Sequence, residues 1–368
     1  MSAFEERLRR LILDHGPISV ARFMALALAH PGGGYYARRD PFGAAGDFVT
    51  APEVSQLFGE LVGLALAQHW LDLGRPSRIL LVELGPGRGT LMADALRAAR
   101  VVQGFLEAVS VHLVETSPIL RERQAAALGR LPVRWHDELA GVPRDRPLLL
   151  VANEFLDALP IRQFVRRSGR WHERLVAVDE AGAFRFTLAT RSTPFPLVAE
   201  GVPEDPPDGT VLELGPAREA LAETIAARVV AQGGLALLMD YGDDAEAALL
   251  GDTLQAVRRH ARVDPLAAPG EVDLSAHVDF GAIRRRAAGA GAVAYGPVSQ
   301  AAFLGRLGIE LRLRQLLECA TPMQRDALES GCARLVDPDQ MGELFKAMAL
   351  TAPGAPRPPG FDPKERRP

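Results

Sequence analysis

The stretch Ile79-Leu80-Leu81-Val82-Glu83-Leu84 runs directly into Gly85-Pro86-Gly87-Arg88-Gly89-Thr90, and a helical pattern follows over residues 91–100. An apolar run closed by glycines and reopened as a helix predicts a buried parallel strand, a tight turn and a helix start. Glycines at alternate positions let a ligand lie against bare backbone, next to the unpaired N–H groups of the helix N-terminus.

The spacing is G-x-G-x-G, not the G-x-G-x-x-G of dinucleotide-binding folds. Nucleotide enzymes with E-x-G-x-G-x-G mostly bind S-adenosylmethionine, which has no pyrophosphate to seat. A purely structural turn is the competing reading.

Further strands are expected at 110–115, 133–135 and 147–152, with a helix from Ser117-Pro118 to residue 128 between the first two. This β-α-β-α-β alternation predicts an α/β chain: an open, Rossmann-like parallel sheet with helices on both faces. Ligands in such sheets sit beyond the C-terminal strand ends, so the loops after these strands should converge.

Two helices are expected between residues 4 and 30, broken at His15-Gly16-Pro17, with Ser19 capping the second. Another spans residues 54–73. Residues 161–188 look like strands joined by Ser168-Gly169 and Glu180-Ala181-Gly182 turns, hence a β insertion. Short strands at 211–214 and 234–239 flank a helix over 217–231. The expected division is an N-terminal helical and lid region at 1–75, a cofactor-binding core at 76–160 and a β-rich insertion at 161–208. The remainder of the core, with substrate-side helices and loops, takes 209–350, and 351–368 is a flexible Pro-rich tail.

A chain of 368 residues holds a large core and about two folding units. Its net charge of −4 gives no basic footprint for nucleic acid. Cys319 and Cys332 form no C-x-x-C pair and read as buried small hydrophobes in a reducing compartment. No His or Cys pairs at ligand spacing, so no metal site is expected. Arg7, Arg9 and Arg10 are mixed with Glu5, Glu6 and Asp14, unlike a signal or transit peptide. No apolar run reaches membrane-spanning length. The chain reads as cytoplasmic.

Among candidate cofactor contacts, Glu83 is the acid closing the first strand, and Gly85, Gly87, Gly89 and Thr90 form the turn. Glu115 ends the second strand, where a carboxylate accepts hydrogen bonds from both ribose hydroxyls of a nucleoside. Its alternative role is a helix N-terminal acid beside Ser117. Asp137 follows the third strand, at the level of an adenine amino group or in a solvated loop. Residues 46–53, Gly-Asp-Phe-Val-Thr-Ala-Pro-Glu, are too polar and broken for core and read as a lid, with Asp47 and Thr50 as polar contacts.

Asn153, Glu154 and Asp157 follow the fourth strand. Carboxylates three apart suit a planar cationic guanidinium, and would turn a nitrogen lone pair toward a sulfonium methyl. A capping pair for the next helix is the other reading. His277 lies in a loop-like stretch and is a candidate site residue, although a lone His is more often structural.

Together these segments resemble the MidA-like class I methyltransferases, across nearly the whole chain. The resemblance rests on Gly33-Gly34-Tyr35-Tyr36, Gly46-Asp47-Phe48-Val49-Thr50-Ala51-Pro52-Glu53, Glu83-Leu84-Gly85-Pro86-Gly87-Arg88-Gly89-Thr90-Leu91 and Asn153-Glu154-Phe155-Leu156-Asp157-Ala158-Leu159-Pro160. It continues in Asp240-Tyr241-Gly242, Thr253-Leu254-Gln255, Val272-Asp273-Leu274 and His277-Val278-Asp279-Phe280. It implies a Rossmann-like domain with inserted elements, S-adenosyl-L-methionine as cofactor and a protein substrate. The family's mitochondrial members are complex I assembly factors that dimethylate an arginine of a core subunit of NADH:quinone oxidoreductase. One departure is Glu213-Leu214-Gly215-Pro216-Ala217, where a Ser is expected before Pro-Ala.

The leading reading is therefore a protein arginine methyltransferase. The alternatives are a methyltransferase of another acceptor, a non-catalytic assembly chaperone on the same scaffold, and an NAD(P)-dependent oxidoreductase, which the glycine spacing disfavours.

Overall fold

The computed structural model describes residues 2–38, 49–194, 202, 205–244 and 250–367. The chain begins with α1 (Ala3–His15), β1 (Ile18–Ser19), α2 (Val20–Ala29) and α3 (Tyr35–Arg38). Ser19 caps α2 by accepting the Arg22 N–H at 3.2 Å. Next come α4 (Ala51–Val54) and α5 (Gln56–Asp72). The single helix expected over 54–73 is divided because Ser55 is extended, at φ −159°, and its hydroxyl accepts the Leu57 N–H to start α5.

The core alternation is β2 (Ile79–Leu84), α6 (Thr90–Ala98), α7 (Phe105–Ala108), β3 (Val109–Val114), α8 (Pro118–Leu128), β4 (Val133–His136) and β5 (Leu148–Asn153). β6 (Arg162–Arg167), β7 (Arg170–Val178) and β8 (Phe184–Leu188) are followed by β9 (Val211–Leu214) and α9 (Pro216–Gln232). Then come β10 (Gly234–Asp243), β11 (Gln255–Arg258), β12 (Ala261–Val263), β13 (Asp273–Ser275), β14 (Val278–Asp279) and α10 (Phe280–Gly289). The last elements are β15 (Val293–Ser299), α11 (Gln300–Leu307), α12 (Ile309–Glu318), α13 (Pro322–Val336), β16 (Phe345–Thr351) and β17 (Arg366–Arg367).

Two compact units share these elements. One draws on Met1–Phe48, Leu156–Leu221 and Asp243–Ile283, the other on Val49–Phe155, Ala222–Gly242 and Arg284–Pro368. The first unit is built on antiparallel pairing in the order β1-β7-β6-β9, with β8 against β7. A smaller sheet, β12-β11-β13, stands in the same unit. Its core gathers Phe23, Met24, Tyr35, Ile161, Val176 and Leu274.

The second unit carries the Rossmann-like sheet, in the order β17-β15-β16-β10-β5-β2-β3-β4. From β10 to β4 all pairing is parallel. β2 and β5 are buried at every position, as expected of parallel strands covered on both faces. Beyond β10 the sheet turns antiparallel through β16, β15 and β17, so it is mixed rather than wholly parallel. Short apolar runs such as Ala347-Met348-Ala349-Leu350 do not by themselves distinguish strand from buried helix.

The segment expected to be a flexible tail is packed. Phe361 is buried against Phe303 and Tyr295, and Arg306 makes a forked pair with Glu365 at 2.9 Å. Proline content signals lost helix and strand, but an aromatic side chain can still anchor such a segment.

The order of strands fixes where a ligand goes. From β2 the chain moves outward to β3 and β4, then returns to β5 on the other side of β2. That reversal opens a crevice at the C-terminal ends of β2 and β5, where open α/β sheets bind ligands. The glycine turn and Asn153-Glu154 stand at those ends.

Candidate functional site

Gly85, Gly87 and Gly89 have φ of 61°, 53° and 84°. Each is in the left-handed region that glycine tolerates. Gly89 is the N-cap of α6 and supplies no side-chain cap, so no capping side chain covers the first N–H groups of that helix. A Cβ on Gly85 would lie 2.4 Å from Phe155 Cδ2, and one on Gly89 would lie 3.2 Å from Gln124 Cα. The turn is thus closed in by Phe155 and by α8.

Glu83, on β2 just before the turn, is buried, and its Oε2 has no hydrogen-bond partner. Burial pushes its carboxyl up to about 8. A bare-backbone turn, an uncapped helix start and an orphaned buried oxygen fit S-adenosylmethionine, which has an ammonium and a carboxylate at its amino-acid end and no phosphate.

Glu115 follows β3 and is buried. Its Oε1 accepts the Ser117 N–H at 2.7 Å, and its Oε2 accepts Gln124 Nε2 at 3.3 Å. Burial pushes this carboxyl up, and the Ser117, Gln124 and Thr116 donors with Arg121 offset that only in part. Glu115 therefore braces the start of α8 and stands at the strand end. Asp137 lies mostly in solvent and pairs with Arg121 at 2.7 Å, and Arg121 also donates to the Glu115 carbonyl.

Asp47 lies outside the described residues. Thr50 is the N-cap of α4, but its side chain makes no capping bond. Thr90 donates its hydroxyl to Glu53 Oε1, and Arg88 stands 3.6 Å from Glu53 Oε2. Glu53 therefore ties α4 to the glycine turn, a role not assigned from the sequence, where the lid reading of 46–53 singled out Asp47 and Thr50 instead.

Asn153 ends β5. Glu154 follows with φ 47°, a left-handed backbone that costs a side-chain-bearing residue energy. The Glu154 N–H donates to the Met239 carbonyl at 2.8 Å, and the Phe155 N–H to Asp240 Oδ2 at 3.2 Å. Glu154 Oε1 accepts the Ala51 N–H at 2.7 Å and Asn153 Nδ2 at 3.2 Å. The loop after β5 is pinned to β10 and to α4, and it carries its carboxylate at the switch point.

Thr50, Glu83, the three glycines, Thr90, Glu115, Asp137, Asn153 and Glu154 all stand in the second unit, while Asp157 and His277 belong to the first. Within that unit Arg218 donates to the carbonyls of Asp157 at 2.8 Å, Ala276 at 3.1 Å and His277 at 2.5 Å. The His277 N–H donates to Thr253 Oγ1 at 2.9 Å, and its ring faces Asp243 at 3.4 Å.

Gln124 also went unassigned in the sequence. It is fully buried, and its spacing from Leu120 and Leu128 puts it on the apolar face of α8. A polar residue on a buried stripe was the available signal. Among the described residues no group of three His, Cys, Asp or Glu is arranged to hold a metal. No helix of the described residues is long and apolar enough to cross a membrane.

Residues 61–298 match a family of S-adenosyl-L-methionine-dependent methyltransferases. The chain is 39% identical to the Drosophila melanogaster mitochondrial protein arginine methyltransferase NDUFAF7 homolog, covering 94% of this chain and 84% of that protein. It is 37% identical to the Homo sapiens mitochondrial protein arginine methyltransferase NDUFAF7, over 92% of this chain and 81% of that one. A Burkholderia thailandensis structure bound to S-adenosyl-homocysteine superposes with a TM-score of 0.83 at 31% identity, covering 99% of this chain and 95% of that one. The relatives are mitochondrial proteins, which overturns the cytoplasmic expectation. That expectation rested on the make-up of the first residues, and a compartment address is read apart from the fold. The glycine turn, the strand-end acids and these likenesses along almost its full length agree: the chain belongs to the S-adenosyl-L-methionine-dependent methyltransferase family.

Proposed function

We propose that the methyl group passes to an arginine side chain of a protein partner, a subunit of respiratory complex I being the candidate. The observation that carries this reading is Glu154. Its left-handed backbone donates to the Met239 carbonyl, and its carboxylate accepts the Ala51 N–H and the Asn153 amide at the switch point. The names of the relatives support the arginine acceptor. The complex I partner is carried by the resemblance.

In this reading Glu83, Gly85, Gly87, Gly89, Thr90, Glu115 and Asp137 hold S-adenosylmethionine, together with Thr50. The cofactor, when bound, supplies a methyl on a cationic sulfur. Asn153 and Glu154 orient the guanidinium. Carboxylates take its N–H groups and leave one nitrogen lone pair directed at the methyl. A nitrogen–carbon bond forms as the sulfur–carbon bond breaks, and the nitrogen then releases a proton to a carboxylate or to water. Such a displacement depends on alignment more than on acid strength.

The test is transfer of a labelled methyl to an isolated complex I core subunit, followed by identification of the modified residue. Glu154→Gln is expected to lower kcat about a hundredfold with cofactor affinity nearly unchanged. Intact arginine transfer in that variant would favour another acceptor.

A further inference from the structure

We infer that Gln124 is a positioning residue for the cofactor's ribose, acting through Glu115. The inference rests on the reading of Glu115 as the acid that takes the ribose hydroxyls.

The Gln124 amide is enclosed, with no exposed surface, and has three partners. Its Oε1 accepts Trp135 Nε1 at 2.8 Å, and its Nε2 donates to the Gly87 carbonyl at 2.8 Å and to Glu115 Oε2 at 3.3 Å. An indole N–H only donates, while a carbonyl and a carboxylate only accept. Trp135 therefore dictates which end of the amide is oxygen. The amide nitrogen is then left facing Gly87 and Glu115, where a donor is needed. An amide turned the other way would set oxygen against oxygen on two sides and nitrogen against hydrogen on the third.

The consequence for Glu115 is directional. Its Oε1 is taken by the Ser117 N–H and its Oε2 by Gln124. The Thr116 N–H bonds the same carboxyl, so three protein donors fix the carboxylate plane, and of its roughly four acceptor sites one is left to face a hydroxyl. The same amide also holds the Gly87 carbonyl, so one side chain sets the relation between the glycine turn and the ribose acid. The Gln124 backbone adds to this by packing where a Cβ on Gly89 would lie, 3.2 Å from its Cα. Trp135 on β4, Gln124 on α8 and Glu115 after β3 thus form a relay that ends at the cofactor.

The experiment is calorimetric titration of the full chain with S-adenosyl-homocysteine and with its 2′-deoxy counterpart. The proteins are wild type, Glu115→Gln, Gln124→Leu, Gln124→Glu, Trp135→Phe and the Glu115→Gln/Gln124→Leu pair. Wild type is expected to prefer the ribose form by about tenfold or more, as for a hydrogen bond to a charged group. Gln124→Leu should bring that preference close to one, Trp135→Phe should reduce it partway, and the double variant should be no worse than Glu115→Gln alone. Gln124→Glu, nearly the same shape, sets a second carboxyl beside Glu115. Its affinity should fall with rising pH more steeply than that of wild type.

If Gln124→Leu weakens both ligands equally and keeps their ratio, Gln124 only packs and the inference is overturned. If Glu115→Gln itself keeps the full preference, the ribose reading of Glu115 is what fails.

Discussion

Phe155 occupies the space that a side chain on Gly85 would need: a Cβ there would lie 2.4 Å from Phe155 Cδ2. The glycine turn after β2 and the loop after β5 are therefore in contact through one aromatic ring. Gly85→Ala meets two obstacles, the ring and a φ of 61°. The backbone alone costs about 1–2 kcal/mol. Loss of S-adenosylmethionine binding by about a hundredfold or more is expected by calorimetry, since displaced Phe155 narrows the turn. Adding Phe155→Ala should recover part of the binding, because the clash is relieved and the dihedral cost remains. No recovery would mean that the dihedral, not the ring, makes the glycine necessary.

The Glu83 carboxyl gives the ligand-free chain a pH-dependent stability. Burial raises it from the ordinary range to about 8 in the folded state. A folded chain that holds a proton more tightly than the unfolded chain loses stability as pH rises between the two pKa values. Unfolding measured between pH 5 and 8.5 should show this loss in wild type, flattening above about 8. Glu83→Gln cannot ionise and should remove that component while weakening cofactor binding. An identical pH slope in both proteins would show that Glu83 is ionised throughout.

His112 carries a dependence of the opposite sign. Burial, aided by His136 and by Arg134, Arg146 and Arg228, lowers its imidazole to about 4. Its Nδ1 lies 2.8 Å from His136 Nε2, an arrangement that needs one ring nitrogen to lack a proton. Stability from this pair should be present at neutral pH and lost as pH falls from about 6.5 toward 4. His112→Gln should make the acid limb of the unfolding curve shallower. The C2 proton of His112 should titrate well below its usual range by NMR, and a normal midpoint would refute the assignment.

Glu53 links α4 to the glycine turn through Thr90 and Arg88. Thr90→Val keeps the shape of the side chain and removes the donor. It should weaken S-adenosyl-homocysteine binding by about tenfold, the scale of one hydrogen bond to a charged group. The segment at 51–54 should become more open to protease. Binding and cleavage both unchanged would reduce Glu53 to a surface contact.

Gly215 and Arg218 explain each other. A Cβ at 215 would lie 2.9 Å from Arg218 Cδ, and the guanidinium is held by three carbonyls, so the stem has little freedom to yield. The Ser expected there by resemblance has no room beside Arg218 as it stands. Gly215→Ser should destabilise the chain by about 1–3 kcal/mol in urea. Arg218→Met should cost at least as much, because three carbonyls lose a donor, the one of Ala276 being buried. A neutral Gly215→Ser would show that the Arg218 stem moves aside.

The parts of this molecule that were legible before folding are those where chemistry is local. The run 79–84 with its glycines marks a strand and a turn because both depend on neighbouring residues alone. Ser19 caps its helix for the same reason, through an N–H group three positions away. The strands of the insertion were marked by their turns. The break between α4 and α5, by contrast, depends on an extended Ser55 between two apolar stretches that share one helical period. β15 and β16 were missed because a short buried strand and a buried helical segment look alike until their partners are known. Phe361 ties down a proline-rich segment through side chains far away in the sequence.

By itself the sequence determined a glycine turn between a buried strand and a helix, strand-end acids beside it and the family that shares them. Dihedral freedom and burial period are written residue by residue. Only the tertiary structure decided that Gln124 orients Glu115, that Glu53 fastens the turn, and that Asp157 and His277 lie in a different unit from Glu154. It also decided that Glu83 is driven toward its neutral form. Those properties arise from hydrogen bonds and desolvation between residues distant along the chain. Neither has a local signature, because the partner of a buried polar group is set by packing rather than by its neighbours in sequence.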